Sequence, residues 1–282
     1  MNVHAAGVVR TYFWNPETSR HLKLVQRIRR RPQFRVGNAG DLFNGDLIEW
    51  AYPGAAIDNT AVGGHRLLLV GSIAHHAAEG DVVNGVGCKH PDVPPPPVVN
   101  PPLIRGVRGP KTLEALRNAG HDTSTVEFMG DPGLLIGRLF PQLLDILPET
   151  NREIFIPHFR ERSQFGAVVG TAPVVDIDAT PLSVATEIAR AEVVHTSSLH
   201  GLIWAHALGR DALLVQPRTA ESAFKYEDYF ASVNAPFSWA EDVASSLSTR
   251  HRPPRIEVDA VIKSITMPIW HDLTGARIAT AS

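Results

Sequence analysis

Short apolar runs alternate with helix-like segments along this chain, and that alternation restricts the fold more than any other feature of it. Residues 5–14 (AAGVVRTYFW), 65–73, 81–87, 103–108 and 125–130 read as strands, and 40–51, 110–119 and 132–140 read as helices. A strand–helix–strand repeat implies crossover units, hence a mostly parallel sheet with helices on both faces. Residues 141–152 (PQLLDILPETNR) carry two prolines and little periodicity, which places a domain junction there. A second alternating set follows, with strands at 153–159, 172–177, 192–196 and 212–215 and helices at 181–191, 199–208 and 221–231. A last helix is expected over 257–270, able to cross back to the first domain. Residues 92–102 (DVPPPPVVNPP) suit neither helix nor central strand and predict an extended surface segment. The expected architecture is α/β, with two Rossmann-like domains (1–146 and 147–282) facing a cleft. A chain of 282 residues is long enough for two such cores.

Composition removes several functional classes. The formal charge of −2 gives no global field for nucleic acid, and 44% hydrophobic against 20% charged residues is an ordinary globular balance. Cys88 is alone, so neither an intrachain disulfide nor a cysteine-based zinc cluster is expected. No window is apolar enough for a membrane span and no signal peptide is visible, so a cytoplasmic protein is expected. The basic run Arg20–Arg35 is either a solvated face or a patch that touches anionic lipid, or a lipid-diphosphate acceptor, at the inner face of the membrane.

In open parallel sheets ligands sit outside the carboxyl ends of the strands, so residues just after each apolar run carry the functional signal. The stretch HTSSLHGLIWAHALG (195–209) follows a buried-strand pattern and opens a helix, with Ser197 or Ser198 as its cap. Leu199, Leu202, Ile203 and Ala207 form the core stripe, whereas His200 lies off it in the first turn, beside free backbone N–H groups. A helix N-terminus keeps a free imidazole neutral, and a bound dianion raises its pKa, which suits a general acid. His195 and His206 lack ligand spacing to it, so no metal is expected. His206 reads as packed or half exposed, and the adjacent His75 and His76 receive no role.

Other strand ends keep two readings each. His158 in IFIPHF is either a ligand contact or a surface-loop histidine. Gly37, Asn38 and Gly40 precede a helix capped by Asp41, and the same residues could approach a ligand closely and bind hydroxyls. Arg105 and Arg108 end a strand before Pro110, where an arginine matches a carboxylate or phosphate bidentately, or is simply solvated. Asp131 and Pro132 read as cap and first helical residue. FKYEDYF (224–230) combines Lys225 with aromatic rings that suit either a sugar or core packing.

The ordered set NxGD, VGS, VRGPxT, GDPxLL, IPH, SSLHGLIxAHAxG and KYxDYFxS, spread over residues 37–232, resembles the polysaccharide pyruvyl transferase family of bacterial exopolysaccharide type. The resemblance implies a glycosyltransferase-B-like fold, with residues 1–146 on the acceptor side and 147–282 on the donor side. It implies phosphoenolpyruvate as donor substrate, no cofactor, and transfer of pyruvate, usually as a ketal, to a sugar of a polysaccharide or its lipid-linked precursor. His200 would be the general acid. Arg108, Ser198, Leu199, Lys225 and His158 would contact the donor, and Asn38, Asp41 and Ser72 the acceptor. Many relatives carry arginine where this chain has Ser198, so one donor cation is either missing or supplied from elsewhere, by Lys225 or Arg218. Asn84 in VNGVG stands where relatives often have tryptophan. Two other readings remain open: a nucleotide-sugar glycosyltransferase, whose diphosphate also suits helix N-termini and arginines, and a catalytically lapsed glycan-binding protein.

Overall fold

The computed structural model describes residues 7–14, 34–219, 221–249, 255–270 and 273. The basic run lies outside these residues save for Phe34 and Arg35. The protein is mixed α/β, built on a six-stranded sheet in which every pairing is parallel. In chain order the first part comprises β1 (Val8–Thr11), α1 (Ala39–Ala51), β2 (Ala56–Asn59), β3 (Leu67–Leu68), β4 (Val82–Asn84), β5 (Leu103–Val107), α2 (Pro110–Asn118), β6 (Phe128–Met129) and α3 (Ile136–Leu139). The second comprises β7 (Glu153–Ile156), the hairpin β8 (Val168–Val169) and β9 (Ala172–Pro173), α4 (Pro181–Arg190), β10 (Val193–Thr196), α5 (Leu199–Ala207), β11 (Asp211–Leu214), α6 (Phe224–Ser232), α7 (Val243–Ser248) and α8 (Asp259–Ser264).

The six-stranded sheet runs β2-β1-β3-β4-β5-β6. The chain therefore steps outward from β1 to β2, then returns and proceeds the other way, which makes the β1/β3 seam a topological switch point. The smaller sheet, β11-β10-β7, is also parallel. Single parallel bridges extend it, Phe155 to Val174 on one side and Val215 to Ala240 on the other. Its switch point lies between β7 and β10.

One apolar cluster runs through both parts. It joins Phe43, Leu47 and Ile48 of α1 to Val184 and Ile188 of α4, Leu202, Ile203 and Trp204 of α5, and Tyr226 and Tyr229 of α6. Surrounded in this way, α5 is buried at every position from Leu199 to His206, and this explains its nearly unbroken apolar sequence. Phe43 meets Trp204 edge-to-face at 5.7 Å within the same cluster. At the opposite edge of the sheet from the strand carboxyl ends, Asp81 accepts hydrogen bonds from Arg66 N (2.8 Å), Arg66 Nη2 (2.7 Å) and Ala78 N (2.8 Å). Both side chains are fully buried, so this pair holds the starts of β3 and β4 together.

Several elements differ from the pattern-based expectation for identifiable reasons. The strand expected over 65–73 shrinks to two residues because the Asn44 side chain takes over both backbone groups of Val70, donating to its carbonyl (3.2 Å) and accepting from its N–H (2.9 Å). The edge strand β2 has no apolar run to announce it; its residues are exposed or half-buried. The helix expected over 132–140 starts as a 3₁₀ turn (Pro132–Leu135), capped by Asp131, whose carboxylate accepts from Gly133 N at 2.8 Å. The helix expected from 221 starts at Phe224. The single helix expected over 257–270 is instead α8, which ends at Ser264, and the extended chain at 265–269 is held on the larger sheet's side of the molecule. There Asn84 Nδ2 donates to the Thr266 carbonyl (2.9 Å) and the Tyr52 hydroxyl to that of Pro268 (2.7 Å). The proline-rich segment precedes β5 as irregular chain with Val98 fully exposed.

Candidate functional site

A cleft of about 620 Å³ opens at the carboxyl ends of both sheets. Its walls are the residues that follow β1 (Tyr12, Trp14), β3 (Gly71, Ser72, Ile73), β7 (His158, Phe159, Arg160) and β10 (Ser198, Leu199, His200). Both switch points thus open into one cavity, the position that parallel-sheet topology favours for a ligand. The first turn of α1 contributes Asn38 and Asp41, and the chain at and just after residue 221 contributes Glu221 and Lys225. Of the nine residues expected at donor or acceptor, eight line this cleft.

His200 is buried among them. The Ser198 hydroxyl caps α5 by accepting from Gly201 N at 3.4 Å. His200 sits two residues after that cap, 9% exposed, with its Nε2 buried and unpartnered. Burial pushes the imidazole down to about 3, and the charges of Arg108 and Lys225 act in the same direction. Burial and these two cations together hold the ring neutral near pH 7.

Gly40, in the first turn of α1, serves a different contact from the one expected. A Cβ on Gly40 would lie 2.0 Å from His200 Nδ1. The missing side chain therefore lets α1 close on the imidazole, not on a ligand. Gly40→Ala should displace the His200 ring and reduce turnover at least about tenfold while the protein remains folded; unchanged turnover in a steady-state assay would show that the ring position is not critical. Asn38, not Asp41, occupies the cap position of α1, and its side chain donates to Asp41 Oδ2 at 2.6 Å. Asp41 lies inside the first turn, where burial lifts its carboxyl to about 7 against the opposing effects of the Asn38 hydrogen bond and Lys225. Asp178 fixes the approach to this turn: its carboxylate accepts from the backbone N–H groups of Arg35, Val36 and Gly37 at 2.8–3.1 Å.

The cationic side of the cleft is organised around one carboxylate. Glu221 contacts Lys225 Nζ at 2.8 Å, Arg160 Nη1 at 2.7 Å and Lys89 Nζ at 3.7 Å. Burial acts to raise Glu221, but the neighbouring positive charges outweigh it and hold the group at about 2. Lys225 also lies 3.4 Å from His158 Nε2. Burial, then Lys225, press His158 down to about 3. The backbone N–H of His158 donates to Ser197 Oγ at 2.8 Å, which ties the end of β7 to the end of β10.

Arg108 is the exception among the nine. It is fully buried beneath the cleft and does not line it. Its Nε donates to Asp228 Oδ2 (3.0 Å), one Nη to Ser72 Oγ (2.8 Å) and the other to the Cys88 carbonyl (2.7 Å). Asp228 also accepts from Thr112 N (2.9 Å) and Thr112 Oγ1 (2.6 Å). The arginine expected on the donor's anionic groups therefore anchors Ser72 and joins α2 to α6. Arg105 pairs with Glu127 at 2.8 Å at the surface, and the Arg218 guanidinium covers the Phe165 ring at 4.7 Å. Lys225 is thus the expected substitute cation that reaches the cleft; Lys89 and Arg160 are there as well, without having been anticipated. So are Tyr12, Trp14, Phe34, Phe159 and Glu221, together with His75 and His76, which lie on or beside a short 3₁₀ turn and not on a strand. The aromatic residues of α6 are core residues: Tyr226, Tyr229 and Phe230 are buried, and His206 Nδ1 meets the Tyr229 hydroxyl at 2.9 Å.

With this geometry in place, comparison with known families gives one match. Residues 98–215 match the polysaccharide pyruvyl transferase family model. The pyruvyl transferase match runs from the approach to β5 to the residue after β11, so it includes Arg108, His158, Ser198, Leu199 and His200 and leaves Asn38, Asp41, Ser72 and Lys225 outside. Comparison with curated proteins and with solved structures gives no match. Among the described residues no helix is long and apolar enough to cross a membrane.

Proposed function

We propose that the cleft transfers a pyruvyl group from phosphoenolpyruvate to a sugar of a polysaccharide or its lipid-linked precursor, closing a ketal across two hydroxyls. The observation that carries this reading is the gathering of a neutral, unpartnered His200 with Lys225, Lys89 and Arg160 in one cavity. The donor bears a phosphate and a carboxylate, and the cations supply charge for both. Carbon 3 must gain a proton while an acceptor hydroxyl attacks carbon 2. Phosphate then leaves from the tetrahedral adduct, and a second hydroxyl adds to close the ring. We assign the first proton to His200 and the hydroxyl proton to Asp41. Asp41, lifted to about 7 by burial, is basic enough to accept that proton near neutral pH, whereas His200, neutral when free, becomes the acid only once the bound dianion raises its pKa. Arg108 holds Ser72 and the α2–α6 junction in place, acting on the reaction through them. A glycosyltransferase-B-like arrangement of residues 1–146 and 147–282 belongs to the same proposal.

The decisive experiment mixes protein, phosphoenolpyruvate and glycan precursors and follows phosphate release together with the mass of the glycan. Phosphate release coupled to a pyruvyl mass increase is expected. Release of nucleoside diphosphate from a sugar nucleotide instead, or retained glycan binding without phosphate release from any acceptor, would favour the other two readings.

The low pKa of His200 gives a second, signed expectation. At pH 7 the free imidazole is neutral, and a dianion bound beside it raises its pKa, so binding takes up a proton. Donor affinity should fall as pH rises through the bound-state pKa. Calorimetry in buffers of different ionisation enthalpy should show net proton uptake on donor binding, growing as pH falls and reduced in His200→Gln. Equal uptake in that variant would assign the proton to another group.

A further inference from the structure

We infer that Trp14, Phe34 and Phe159 form a stacking wall for a pyranose ring, which under the pyruvyl-transfer reading is the ring of the acceptor. The three rings come from three separate stretches of chain: the end of β1, the approach to α1 and the end of β7. Their centroids lie 5.0 Å (Trp14–Phe34), 5.5 Å (Trp14–Phe159) and 6.2 Å (Phe34–Phe159) apart, and all three line the cleft. Each is half-buried. Phe159 touches only the margin of the main apolar cluster, and neither Trp14 nor Phe34 belongs to any of the apolar clusters formed by the described residues. Three large rings left at the wall of the cleft, outside the core, keep apolar surface available to a ligand.

Cations brace the rings. The Arg162 guanidinium covers Phe34 at 4.6 Å and that of Arg160 covers Phe159 at 5.3 Å, so both rings are fixed before any ligand arrives. The rings meet one another at 74°, 31° and 46°, a faceted surface without the parallel plates that sandwich a planar base. A puckered sugar ring fits a single facet through its C–H face. The hydrogen-bonded Asn38 and Asp41 pair lines the same cavity and offers polar partners for the hydroxyls on the other side. An apolar wall combined with a few polar groups is what a carbohydrate ring requires.

The test titrates wild-type protein and the variants Trp14→Ala, Trp14→Phe and Phe159→Leu with methyl β-glucoside, methyl β-galactoside and methyl β-mannoside. Saturation-transfer NMR and tryptophan fluorescence are the readouts, with uridine monophosphate as the planar-base probe and phosphoenolpyruvate as the donor probe. At least one glycoside should bind wild type with saturation strongest on its C–H protons. Its Kd should rise about tenfold in Trp14→Ala and recover in part in Trp14→Phe, while phosphoenolpyruvate still binds. Unchanged glycoside affinity in both Trp14→Ala and Phe159→Leu overturns the inference, as does failure of all three glycosides to bind wild type. Displacement of the glycoside by uridine monophosphate, with its base protons saturated, would identify a nucleobase site instead. If Trp14→Ala loses its cooperative melt, Trp14→Phe and Phe159→Leu carry the comparison. Absence of pyruvyl transfer would end the reading of the reaction and leave the glycoside titration standing; transfer with an indifferent Trp14 would do the reverse.

Discussion

His200→Gln should abolish pyruvyl transfer, lowering turnover by about 10²–10⁴-fold, while the variant melts close to wild type. The size of the effect follows from position. The imidazole lines the cleft with Nε2 unpartnered, between the charges of Arg108 and Lys225. Glutamine retains a polar end of similar reach but cannot deliver a proton near neutral pH. Stability should be spared because no hydrogen bond of Nε2 is lost. Phosphate release and circular dichroism on the same preparation separate the two outcomes. Near wild-type turnover would falsify the acid assignment.

Arg108→Met should cost about 3–5 kcal/mol of stability, because removing the guanidinium leaves Asp228 charged in a site with no exposed surface. It also removes the donors to Ser72 and the Cys88 carbonyl. The expected result is therefore a large shift in the urea midpoint. A surface arginine that bound the donor would behave differently, with KM raised and stability kept. That second pattern would return Arg108 to the anion site. Replacing Arg108 and Asp228 together by apolar residues should recover much of the loss, since neither buried charge is then left alone.

The strand ends were legible in the sequence because a buried parallel strand is a continuous apolar run and the polar residue after it is conspicuous. His158, Ser198 and His200 stand out in this way, and all three line the cleft; Ser72, inside the run expected as a strand, is indicated only by the family resemblance. What could not be read depends on distant partners. Arg108 is an exposed ligand candidate by local pattern, and only Asp228, 120 residues away, makes it a buried anchor. Gly40 reads as a ligand approach until His200 is placed against it. Glu221 carries no local sign of function, since its role comes from three cations brought in from three segments. Adjacent histidines on a strand would point to opposite faces, but the turn that His75 and His76 occupy places both on the cleft. Two of the three rings of the aromatic wall carry a local signal: Trp14 and Phe159 follow apolar runs just as His158 does.

The apolar seam that α1, α4 and α5 share has a mechanical corollary. Swinging one half of the molecule away from the other would expose Phe43, Trp204 and their neighbours to water, at roughly 25 cal/mol for each Å² uncovered. Wide hinge motion is therefore disfavoured, and the cleft stays assembled. Exchange of reactants through the mouth of that pocket then depends on loop and side-chain movements, and scattering profiles with and without ligand should superimpose.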